Sequence, residues 1–142
     1  MKKFLLLTLL PLLSLSAYAA DWQVVGGTDK SQLTIDVQSI KDAGSMRQAL
    51  SMWNFTEPRA NSNDSTFPFL KSYQDLHTYN CNEKTMRLTQ EVIYSENDAK
   101  GDKRDHSDAL KGMTYAKPAA NSVGDIMLQL VCGYKLASKN SK

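Results

Sequence analysis

Reactive side chains are scarce in this chain of 142 residues: it holds two histidines, two cysteines and two tryptophans. No Gly-x-Ser-x-Gly, His-Glu-x-x-His or phosphate-cradling glycine loop occurs, so the common signatures of hydrolases, metalloproteases and nucleotide enzymes are missing. His106 lies between Asp105 and Asp108 in "KGDKRDHSD", but crowded polar side chains on a charged loop read as solvated rather than catalytic. Glu91 and Asp75 read as solvent-face residues of strands. A zinc site needs clustered ligands, and His77 stands four residues before Cys81, about 13 Å away if the segment is a strand. Cys-x-x-Cys is absent as well, which argues against a redox pair. The expectation is a protein that is not an enzyme and uses no metal or cofactor.

Long apolar runs are also missing, apart from the start. "MKKFLLLTLLPLLSLSAYAADW" has a short positive end at Lys2 and Lys3, an apolar stretch from Phe4 to Leu15 and a small-x-small signature at Ala17-Tyr18-Ala19. That is the pattern of a secretory signal peptide, residues 1–19, too short to span a bilayer comfortably. Cleavage is expected after Ala19, with Ala20 as the alternative. The leader resembles a bacterial one of the general export route, pointing to a Gram-negative cell. There is no twin arginine, and no cysteine at the cut to make a lipoprotein. No second run of membrane length follows, so the expected product is an exported protein of the periplasm or cell surface without a transmembrane segment.

Excess charge of either sign is the next absence. Seventeen Lys plus Arg face fifteen Asp plus Glu, and the leader carries two of those lysines and no acid. The exported part is therefore formally neutral, which removes the electrostatic case for nucleic acid or an anionic membrane as partner. The lysines of "GYKLASKNSK" read as a solvated end. Residues 20–142 are long enough for one domain that buries roughly two-thirds of its unfolded surface.

What is present is mostly strand pattern. "WQVVGG" and "QLTIDV" are short β-rich runs separated by Gly26, Gly27 and Asp29, which suit a hairpin turn. "MRQALSMWNF" loses its alternation between Met52 and Trp53, either through a bulge or because a central strand is covered on both faces. "TEPRANSNDSTFP" reads as a polar loop. "FLKSYQDLHTYNC" and "TMRLTQEVIY" read as long antiparallel strands joined at 82–84, with Met86, Leu88, Val92 and Tyr94 on one face and Arg87, Thr89 and Glu91 on the other. The charged stretch "SENDAKGDKRDHSD" is expected to hold a turn and a short edge strand.

Near the end the period changes from two to between three and four. Ser122 is a good N-cap, Asp125 follows at the capping-box position, and Val123, Ile126, Leu130 and Val131 form an apolar stripe with Met127 beside it. Cys81 falls at a strand end and Cys132 in the last turn of this helix. In an oxidising compartment an isolated pair is read as a structural disulfide, tying helix to sheet and worth roughly 4 kcal/mol on the chain-entropy view. The fold class is thus α+β: an antiparallel sheet of about six strands with a C-terminal helix packed on one face.

"DWQVV", "LTIDVQSI", "SMWNF", "LKSYQDLHTYNCNEKTMRLTQEVIY" and "KPAANSVGDIMLQLVCGY" together resemble the surface-adhesin protein E family, from Trp22 to about Tyr134. The resemblance implies the same helix-on-sheet fold with this disulfide. It also implies a protein-binding role toward host matrix or plasma proteins such as vitronectin, laminin or plasminogen, with basic residues ahead of the first cysteine implicated. Here only Lys71 is basic in "STFPFLKSY". The contact surface is expected in the segment from Arg59 to Tyr73, with Phe67, Phe69, Lys71 and Tyr73 as its residues, unless the phenylalanines enter the sheet's edge or core. A homodimer through a sheet edge is a further expectation. The alternative role is that of a periplasmic structural or accessory envelope protein with no host ligand.

Overall fold

The computed structural model describes residues 19–137. Residues 1–18, nearly all of the expected 1–19 leader, and residues 138–142 lie outside them.

The described chain forms one antiparallel sheet: β1 (Trp22–Thr28), β2 (Ser31–Asp36), β3 (Lys41–Ala43), β4 (Met46–Ala60), β5 (Phe69–Asn80), β6 (Thr85–Tyr94) and β7 (Lys103–Asp105). Its order is β1-β2-β4-β5-β6-β7, with β3 pairing β4 beyond the end of β2. The helix α1 (Val123–Gly133) lies on one face, as expected. Ser122 caps it by accepting from the Asp125 amide, while Asp125 Oδ2 accepts from the Asn121 amide at 3.0 Å. The disulfide Cys81–Cys132 joins the turn after β5 to the last turn of α1, with Cα atoms 5.6 Å apart.

The face under α1 is set by register. Leu33, Ile35, Ala49 and Tyr79 form the floor, and Met127, Leu128 and Val131 pack onto it. The helix is therefore rotated from the expected stripe: Ile126 is 43% exposed and Leu130 half-buried. Residues 127, 128 and 131 also satisfy three-and-four spacing, and contact with the sheet chooses between the two phases. Arg47 closes the helix end, its Nη1 donating to the carbonyls of Val131 and Tyr134, both at 2.7 Å. Those carbonyls have no partner inside the helix, and a cation there also suits the helix dipole.

Three strand expectations are corrected. Gly26 and Gly27 lie within β1 rather than in the hairpin turn, beside the register shift between Val24 and Gly26. A Cβ on Gly26 would stand 2.8 Å from Val123 Cγ2, so glycine lets the helix approach. The segment "TEPRA" is not loop: β4 continues through it to Ala60, leaving β5 after Asn54 and rejoining at Arg59. Pro58 is tolerated because it stands in the stretch that gives β5 no ladder bond. Asn97 fills part of the gap, its Nδ2 donating to the carbonyls of Phe55 (3.0 Å) and Lys71 (3.2 Å).

The third correction matters most for function. β6 carries a bulge: Leu76 pairs Gln90 while His77 pairs Leu88, leaving Thr89 unpaired, its hydroxyl donating to the Leu76 carbonyl at 2.8 Å. One extra residue shifts the phase. Met86 and Leu88 therefore share the helix-bearing face with Glu91 and Ile93, while Val92 and Tyr94 turn to the other face. No bulge occurs at Met52 and Trp53. Pairing runs through both, with Met52 buried on the face opposite α1.

Candidate functional site

The register across the middle strands lays out two rows on the helix-bearing face. One is Leu33, Trp53, Tyr73 and Ile93; the next is Ile35, Ser51, Asp75 and Glu91. Toward the Tyr79 end this face is covered by α1. Toward the other end of β5 it opens into a cleft of about 310 Å³ whose lining includes Arg59, Asn61, Tyr73, Glu91, Ile93 and His106. The loop 61–68 forms one wall, braced where Asp64 Oδ1 accepts from the Thr66 amide at 2.9 Å. The hydrogen bond from the Thr66 side chain holds the Asp64 carboxyl below its ordinary range.

The four expected contact residues are placed differently from one another. Phe67 is 6% exposed, packed with Leu70 and Ile93 beneath the Arg104 guanidinium. Its neighbour Phe69 is 60% exposed at the start of β5. Lys71 is half-buried. Tyr73 is half-buried too, in a cluster with Trp53 and Phe55, and its ring lines the cleft. Burial pushes its hydroxyl up to about 12. Phe69 is thus displayed to solvent, Tyr73 faces the cleft, and Phe67 belongs to the core.

Asp75 and Glu91 are not solvent-face residues. Asp75 is 5% exposed, and its Oδ1 has no hydrogen-bond partner. Burial, then the charge of Glu91 directly opposite, pushes its carboxyl up to about 8. His77, next along the same face, is moved down to about 4 by burial, with its Nδ1 3.5 Å from Ser51 Oγ. Serine, histidine and aspartate do meet here, but Ser51 is fully buried and no substrate reaches its hydroxyl. His106 pairs with Glu91, Nδ1 to Oε1 at 3.7 Å, rather than with its sequence neighbours. Asp105 is turned to the Ser107 amide and Asp108 to Lys111. Among the described residues no group of His, Cys, Asp and Glu is arranged to hold a metal ion, and no helix is long and apolar enough to cross a membrane.

Sequence reasoning missed this acidic pair because strict alternation sends Glu91 to the other face; the Thr89 bulge reverses that. No local signal marks the bulge.

No curated protein matches the chain. The family model described as Surface-adhesin protein E matches residues 22–133, which spans every strand, the helix and both cysteines. The chain belongs to the surface-adhesin protein E family.

Proposed function

We propose that this protein is an exported bacterial recognition module whose partner is a host matrix or plasma protein, vitronectin, laminin or plasminogen being the first to test. Its leader is residues 1–19 and its single domain residues 20–142. The contact surface is the segment from Arg59 to Tyr73, where Phe69, Lys71 and Tyr73 meet the partner and Phe67 supports them from below. The observation that carries this reading is Phe69, a large apolar side chain 60% exposed beside a polar loop in a member of an adhesin family. Self-association would use β1, one of the sheet's edge strands, where Val24 is 63% exposed.

A second reading is favoured by one feature. Lys71 is the only basic residue in "STFPFLKSY", where the family resemblance implies several. That suits an accessory protein of the periplasmic envelope. Pull-down with the purified protein separates the readings. Capture of matrix or plasma proteins, together with recovery from the cell surface or medium, supports the adhesin. Capture of envelope components alone, with all protein in the periplasmic fraction, overturns it.

A further inference from the structure

We propose that the cleft between the 61–68 loop and β6 is a recognition pocket for one basic side chain, a lysine or arginine, of a protein partner. This rests on the protein-binding reading above and specifies the chemistry of its site. The cleft's about 310 Å³ suits one long side chain rather than a folded segment. Tyr73 and Ile93 offer apolar surface for the methylene stem. Glu91, 26% exposed in its side chain, offers a carboxylate to the charged head.

Asp75 makes the site more than an exposed acid. It is paired in register with Glu91 on the same face, so the two side chains start about 5 Å apart. Among the described residues Glu91 has only His106 as ionic partner, and Asp75 has none. A buried carboxyl oxygen without a donor is costly, and two neighbouring carboxylates repel. One ammonium or guanidinium entering beside Glu91 supplies the counter-charge to both. An anion would meet the Glu91 carboxylate that lines the cleft, with Asp75 buried behind it. The cation in the lining, Arg59, is already placed over the Phe55 ring at 5.3 Å.

The ionisable groups around Asp75 are Glu91 opposite it on β6 and Tyr73, His77 and Tyr79 along β5, while His106, paired with Glu91, and Arg59 line the cleft. Near neutral pH Asp75 holds a proton, since burial and Glu91 push it up to about 8. A bound cation favours the carboxylate, so binding expels that proton and strengthens as pH rises.

The test is an NMR titration of the full chain with lysine, arginine and glutamine, each capped at both ends, at pH 6 and pH 8.5. The lysine and arginine compounds should shift the Tyr73, Glu91 and Ile93 amides, binding about tenfold more tightly at the higher pH. Glu91→Gln should weaken them about tenfold, and Asp75→Asn should reduce the pH dependence. Equal binding of the glutamine compound, shifts confined to other residues, or pH-independent binding to the native chain would each overturn the pocket. The native-chain comparisons stand even if a variant fails to fold. Host-protein binding unaffected by Glu91→Gln would overturn the pocket and spare the adhesin reading. Capped-lysine binding with no host-protein binding would do the reverse.

Discussion

Asp75 and His77 stand two residues apart on β5, and burial moves their ionisation in opposite directions, to about 8 and about 4. From about pH 4 to 6.5 the folded protein keeps an Asp75 proton that the unfolded chain has released. Over the same range the unfolded chain holds a His77 proton that the folded protein refuses. The two slopes oppose, and stability should change little there. From about pH 6.5 to 8 only Asp75 differs, so stability should fall as pH rises, by at most about 2 kcal/mol. Urea unfolding at steps of pH checks this, and Asp75→Asn should remove the fall. Arg47 is the second residue whose role needs three dimensions, because its helix-capping partners lie far along the chain. Arg47→Ala should cost about 1.5–3 kcal/mol, as hydrogen bonds to a charged group do, measured by the same unfolding.

Among the elements, the helix and the strand pair β5–β6 show what local pattern can and cannot specify. Ser122 and Asp125 marked the helix start correctly, since capping chemistry is local. Its buried phase was not local: Val123, Ile126 and Leu130 lost the centre of the contact to Met127, Leu128 and Val131. Leu128→Ala should therefore cost about 2–5 kcal/mol through transfer and cavity terms. Ile126→Ala should cost less than half as much, and Lys135→Ala should stay within about 0.5 kcal/mol. Thermal unfolding of the three variants ranks them, and equal losses would contradict the packing. The continuation of β4 through Pro58 was hidden because its support comes from Asn97, about forty positions away, and not from neighbours in sequence. The Thr89 bulge was hidden for the same reason, and the acidic pair of the candidate site went with it.

At the scale of the whole molecule, the pattern of a leader and an isolated cysteine pair made the disulfide legible before any geometry was known. Period-two runs and one capped helix made the fold class legible. Cys132→Ala should lower stability by about 2–5 kcal/mol, and intact mass with and without reductant should show one bridge and no free thiol. The contact surface was legible only in part: Phe67 and Phe69 look alike in sequence, yet burial separates them. With residues 20–142 formally neutral, Lys71 alone in its segment and the Glu91 carboxylate partly buried in its cleft, partner binding should depend only weakly on salt. The decisive measurement is binding of the protein to immobilised vitronectin, laminin and plasminogen, at low and physiological salt, beside a Phe69→Ala, Lys71→Ala double variant whose folding has been checked. The account predicts binding to at least one of the three that salt hardly changes and the double variant loses. Binding to none of them, or binding that the double variant leaves intact, would contradict it.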